Sequence, residues 1–173
     1  SAASDVYKRQ YQINGIWQDV YLLALPKIHI EDVYVKPLVS KNMLEIEVTV
    51  QNQTAKKAEI QLQGDIREWM NRAGTDINSA PVPDWTLGNE ALSVAPAKVS
   101  VAAGTSQKVT LQVPVGKDVL KYWTPEHPNL YALLLSVKNQ KQAVDTKYER
   151  FGWREWTLQG TTQRLNGEPY ALH

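Results

Sequence analysis

Met43-Leu44-Glu45-Ile46-Glu47-Val48-Thr49-Val50 decides the fold class. Leu44, Ile46, Val48 and Val50 share one parity, and Glu45, Glu47 and Thr49 share the other. Successive side chains of a strand point to opposite faces, so a period of two means one buried face and one wet face. The polar segment Gln51-Asn52-Gln53-Thr54 turns the chain. Ala58, Ile60 and Leu62 then alternate with Glu59, Gln61 and Gln63. The two runs read as antiparallel partners.

The same pattern extends outward in both directions. In Ile28 to Lys36, Ile28 and Ile30 lie on one parity and Val33 and Val35 on the other, which predicts a bulge near Glu31-Asp32. Val109, Leu111, Val113 and Val115 alternate with polar residues. So do Tyr131, Leu133, Leu135 and Val137, with a return from Ala143 to Phe151. Trp17 to Leu23 is short and rich in β formers. Seven to nine strands at this turn spacing, without a convincing helix, predict an antiparallel β-sandwich. Asp65 to Glu90 fits less well. It reads as a long loop with one helical turn at Ile66–Arg72, stopped by Gly74, with Pro81 and Pro83 beyond.

Composition narrows the function classes. Hydrophobic residues make up 43% of the 173, enough for a core, so wholesale disorder is excluded. Nineteen basic and 18 acidic residues leave a net charge of +1, which argues against a nucleic-acid surface or a polybasic membrane anchor. Without Cys, there can be no disulfide framework, zinc-thiolate site or cysteine nucleophile. Six Trp and eight Tyr stand against one Phe, so aromatics with a polar tip dominate. Such residues suit strands, interfaces and sugar-facing surfaces.

No self-sufficient active site is visible. His29, His127 and His173 are scattered, and a metal site needs several convergent donors. His29 is expected at a surface or interface, and His127 at a two-proline corner. Glycoside hydrolysis uses two carboxylates about 5–10 Å apart. Glu45 and Glu47 share a strand face at about 7 Å, but their alternation with four aliphatics reads as a solvated face. No catalytic residue, metal site or cofactor is therefore assigned. Trp69 and Trp85, in the segment read as a loop, are the candidates for contact with a sugar or a neighbouring domain.

Three local arrangements carry their own physics. Pro125 and Pro128 stiffen a corner, and Tyr131 enters the following strand with its hydroxyl able to bond the corner backbone, as in a tyrosine corner. Gly152 marks a kink or close approach, with Arg154 and Glu155 expected to pair beyond it. Asn166-Gly167 is a two-residue hairpin turn.

Three segments resemble glycoside hydrolase family 2 in the right order. Gly15-Ile16-Trp17-Gln18-Asp19-Val20-Tyr21-Leu22 is similar to the strand that closes the family's N-terminal sugar-binding jelly roll. Leu120 to Tyr131, with Trp123-Thr124-Pro125-Glu126-His127-Pro128-Asn129 at its centre, resembles the "LWsPexPxLY" segment of the immunoglobulin-like second domain. Arg150-Phe151-Gly152-Trp153-Arg154-Glu155, followed by Leu165-Asn166-Gly167-Glu168-Pro169, is similar to the exit into the catalytic barrel. The chain departs from the family at Tyr122-Trp123, where "LW" is usual, and at Trp153, where Phe is usual.

The resemblance implies a division of the chain. Residues 1–12 would be a flexible or non-native end, and 13–26 the last strand of a jelly roll. Residues 27–152 would form an all-β, immunoglobulin-like sandwich of about seven strands. Residues 153–173 would be a linker and the first hairpin of a TIM barrel. The family's catalytic carboxylates would lie in that barrel and match no position here. The parent would be a retaining, β-galactosidase-like enzyme, periplasmic or extracellular by family habit. This chain's partners would be the neighbouring domains, through Trp17, Trp123, Trp153, Arg154, Glu155 and Trp156, and carbohydrate; neither nucleic acid nor membrane is expected. A free-standing carbohydrate-binding module and a fibronectin-like structural or adhesive domain are the alternatives.

Overall fold

A computed structural model describes residues 7–13, 16–22, 25–71 and 85–170. The strands run in the order β1 (Tyr7–Ile13), β2 (Ile16–Leu22), β3 (Ile28–Leu38), β4 (Met43–Asn52), β5 (Ala58–Asn71) and β6 (Trp85–Val101). There follow β7 (Ser106–Pro114), β8 (Leu130–Asn139), β9 (Gln142–Phe151), β10 (Trp156–Gln159), β11 (Thr162–Leu165) and β12 (Glu168–Pro169). A 3₁₀ turn at Val39–Lys41 joins β3 to β4. Sheets β3-β4-β7 and β6-β5-β8-β9 face each other as a seven-stranded, all-antiparallel sandwich. Two smaller sheets, β1-β2 and β10-β11-β12, flank it in sequence.

The register explains the core. Ile46 lies opposite Val35 on one side and Leu111 on the other, and Val48 lies opposite Val33 and Val109. All four inward aliphatics of β4 are fully buried. In the second sheet Ile60, Leu62 and Ile66 of β5 share a face with Leu133, Leu135 and Val137 of β8. The β3–β4 register slips between Ile30 and Asp32, the bulge anticipated from the parity switch. On the free edge of β3, the Ile30 N–H donates to Asp145 Oδ2 of β9 at 2.8 Å. That bond ties the edges of the two sheets together.

Four expectations are corrected. Asp65–Glu90 is not a loop throughout: its described parts continue β5 to Asn71 and begin β6 at Trp85, paired with each other. Residues 72–84, with Gly74, Pro81 and Pro83, lie outside the described residues. The helical turn expected from Ile66 is strand, because β5 is held on both sides by β6 and β8. Pro96 is tolerated within β6 because that strand is at the sheet edge and skips register between Val94 and Ala97. Tyr7–Ile13, expected to belong to a flexible end, is a strand paired with β2. His29 is buried rather than at the surface, with its Nδ1 2.9 Å from the Pro26 carbonyl oxygen.

Candidate functional site

Two groups of residues gather the features singled out in the sequence. The first is the exit from the sandwich. Trp123 N–H donates to the Trp153 carbonyl at 3.0 Å, and Tyr122 bridges Trp153 in parallel. Gly152 permits this approach: a Cβ there would meet Trp123 Cβ at 3.0 Å. The Arg154 guanidinium sits 4.2 Å from the centre of the Trp123 ring, a cation–π contact worth about 0.5–2 kcal/mol according to exposure.

Arg154 and Glu155 do not pair as expected but turn to different partners. Glu155 Oε2 accepts the Ser40 N–H at 2.8 Å, which fastens the exit segment to the turn after β3. Asn166 completes the clamp. Its Oδ1 accepts the Glu155 N–H at 2.9 Å, its Nδ2 donates to the Trp123 carbonyl at 3.3 Å, and its own N–H donates to the Glu155 carbonyl at 2.9 Å. The left-handed φ of both Asn166 and Gly167 gives the tight turn that aims this amide back at the sandwich. The β10-β11-β12 sheet is thereby tied to the exit segment at both backbone groups of Glu155, and this region is fastened to the sandwich at the Trp123 carbonyl and the Ser40 N–H.

Of the residues expected at domain junctions, Trp153 is 3% exposed and part of the sandwich's own core. Trp156 is 42% exposed and meets Tyr170 edge-on. Trp17 lies in β2, but its side chain is outside the described residues. Ser40 was missed, since nothing in its own neighbourhood marks it. The Asn166 turn was legible, but the bonds of its side chain were not.

The second group lies on the outer face of the four-stranded sheet. Trp69 and Trp85 stack at 4.2 Å with an interplanar angle of 20°. Tyr148 lies 6.2 Å from Trp69 and 5.7 Å from Trp85, and the Arg150 guanidinium is 5.4 Å from the Trp69 ring. Ala132 and Leu134, outward residues of β8, are buried on this face next to Arg150 and Tyr148 in register. Each tryptophan thus covers one face of the other. Tyr148 and Arg150 were missed, although their parity in β9 places them on this face.

The carboxylates are dispersed. Glu47 pairs with Lys108 of β7 at 3.3 Å on the wet face of its sheet. Among the described residues no three His, Asp or Glu converge as metal ligands. Glu149 is held above the usual carboxylate range, chiefly by burial and also by the charge of Asp32, with Lys147 and Arg150 opposing the shift. Glu149 of β9 and Asp32 of β3 are thus close enough for their charges to act on each other.

Comparison with known proteins adds the family. The profile described as "Glycosyl hydrolases family 2" matches residues 28–154. The chain belongs to this family. The family 2 chain is 26% identical over 163 residues to a β-galactosidase of Priestia megaterium, covering 94% of this chain and 14% of that protein. It is 26% identical to the β-galactosidase large subunit of Latilactobacillus sakei, covering 22% of that subunit. A solved β-glucuronidase of Bacteroides uniformis superposes with a TM-score of 0.61 at 25% identity, over 88% of this chain and 18% of that one. A family 2 β-galacturonidase of Eisenbergiella tayi, solved with galacturonate bound, shares the fold at a TM-score of 0.63 and 18% identity. The family 2 chain thus spans about a seventh to a fifth of these relatives.

Proposed function

We propose that this chain is the non-catalytic, immunoglobulin-like sandwich of a longer retaining β-glycosidase, and that it sets the position of the catalytic barrel. The observation that carries the reading is the clamp of Asn166 and Glu155 on Trp123 and Ser40. It fixes the segment around Glu155 and Asn166 to the sandwich by charge-assisted and backbone hydrogen bonds, the means by which it would set the angle of a neighbouring domain. The small share of each relative that the chain matches supports the same division of labour.

The β-galactosidase relatives make a β-galactoside the first substrate to try with the longer protein. In that protein the double substitution Glu155→Ala, Asn166→Ala should lower kcat/KM several-fold and broaden the melting transition. Unchanged activity and melting would remove the positioning role. Sugar contact by Trp69 and Trp85 is a second reading, favoured by their place on an outer sheet face with Arg150 beside them.

A further inference from the structure

The outer face of the β6-β5-β8-β9 sheet has a second region, at the opposite end of β5 from Trp69. An open depression of about 530 Å³ lies there, lined chiefly by Glu59, Gln61, Gln63, Lys98, Lys138 and Lys141. The register builds its floor: Gln61 lies directly between Lys98 of β6 and Lys138 of β8. Neighbouring strands are about 4.8 Å apart, so the two lysines sit roughly 10 Å from each other in one row. Lys141 joins them from the β8–β9 turn.

Three ammonium groups face the single carboxylate of Glu59 in this lining. Among the described residues none has a carboxylate within ion-pair distance. Glu59 is itself engaged by the Ser100 hydroxyl at 2.5 Å and by Lys57 at 3.3 Å, which hold its carboxyl below the usual range. The turn that carries Lys141 is also costly. Gln140 and Lys141 both adopt left-handed φ, 51° and 68°, where a side chain costs about 1–2 kcal/mol per residue. Asn-Gly would make the same turn without that cost.

We propose that this depression binds a saccharide chain bearing carboxylates, such as an oligouronate. Lysines supply point charges for the carboxylates, and glutamine amides both donate to and accept from hydroxyls. The volume is within the range of about 300–1,000 Å³ of ligand clefts, and the open shape admits a chain passing through. Single-stranded nucleic acid is disfavoured. Its grooves interleave aromatics with basic residues, and no aromatic lines this site. The site is separate from Trp69 and Trp85 and stands or falls independently of the positioning role.

The test titrates the 173-residue chain with a galacturonate hexamer, followed by amide NMR and calorimetry. Shifts should concentrate at Gln61, Gln63, Lys138 and Lys141. Affinity should fall about tenfold or more with the methyl-esterified hexamer, with rising salt, and in Lys98→Gln, Lys138→Gln, Lys141→Gln. Lys117→Gln, an exposed lysine elsewhere, should bind as the parent chain does. The NMR map keeps the test decisive even if the triple variant folds poorly. Absence of saturable binding, equal binding of the esterified hexamer, shifts centred elsewhere, or tighter binding of an oligonucleotide of equal charge would each overturn the proposal.

Discussion

The Lys121 N–H donates to the Tyr131 hydroxyl at 2.7 Å, across the corner that Pro125 and Pro128 stiffen. Tyr131 is 3% exposed and packs against Phe151 at 6.0 Å, so the bond joins the corner to the inner face of β8. Tyr131→Phe keeps the ring and strands the Lys121 N–H. The expected loss is about 1–2 kcal/mol in urea unfolding. Burial raises the Tyr131 phenol above its ordinary value. Its stabilising effect is therefore fully present below the unfolded-state value near 10 and is lost as pH rises through the higher folded-state value. The urea midpoints of Tyr131→Phe and the parent chain should converge in strong alkali.

Among the described glycines, Gly64 has the least room for a side chain. A Cβ there would collide with the Leu134 carbonyl oxygen, a backbone atom that cannot swing away. Gly64→Ala should cost roughly 3 kcal/mol or more and push β5 from β8. Gly104→Ala, with φ of 69° but open space around it, should cost only about 1–2 kcal/mol. Parallel denaturation of the two variants checks the ordering.

Glu149 offers a test of opposite sign. Its raised pKa means that the folded state disfavours the charged carboxylate. The penalty is absent below the unfolded-state value and grows as pH rises through the folded one. Glu149→Gln should therefore raise the urea midpoint at pH 7 by a few tenths of a molar at most. At about pH 3.5 it should leave the midpoint nearly unchanged. A larger gain at low pH would contradict the assignment to burial.

The alternation of β4, the bulge at Glu31, the Tyr131 corner and the Asn166-Gly167 turn were all legible in the sequence. Each rests on local periodicity or on turn chemistry. The ends of β5 and β6 were not legible. Their register slips between Leu62 and Gly64, Ile66 and Arg67, and Arg67 and Trp69, so the period of two is broken where it was sought. His29 was misplaced because its burial depends on the Pro26 carbonyl folding back, which no pattern announces. The junction was half legible. The motif pointed to Trp123 and Glu155, whereas Ser40 reaches Glu155 across 115 positions of sequence.

Trp69 and Trp85 should act as a coupled chromophore. Rings stacked at 4.2 Å give an exciton couplet in circular dichroism. Trp85→Ala should abolish the couplet and cost about 1 kcal/mol beyond the area lost. An unchanged spectrum would mean that the rings do not stack in solution.

The most direct measurement is turnover of aryl β-galactosides and β-glucuronides by the purified 173-residue chain. The expected result is hydrolysis no faster than in the protein-free blank, because on the proposed function this domain positions the catalytic carboxylates and does not carry them. Hydrolysis that co-purifies with the chain and disappears on Glu45→Gln, Glu47→Gln or Glu155→Gln would contradict the proposal that this domain is non-catalytic.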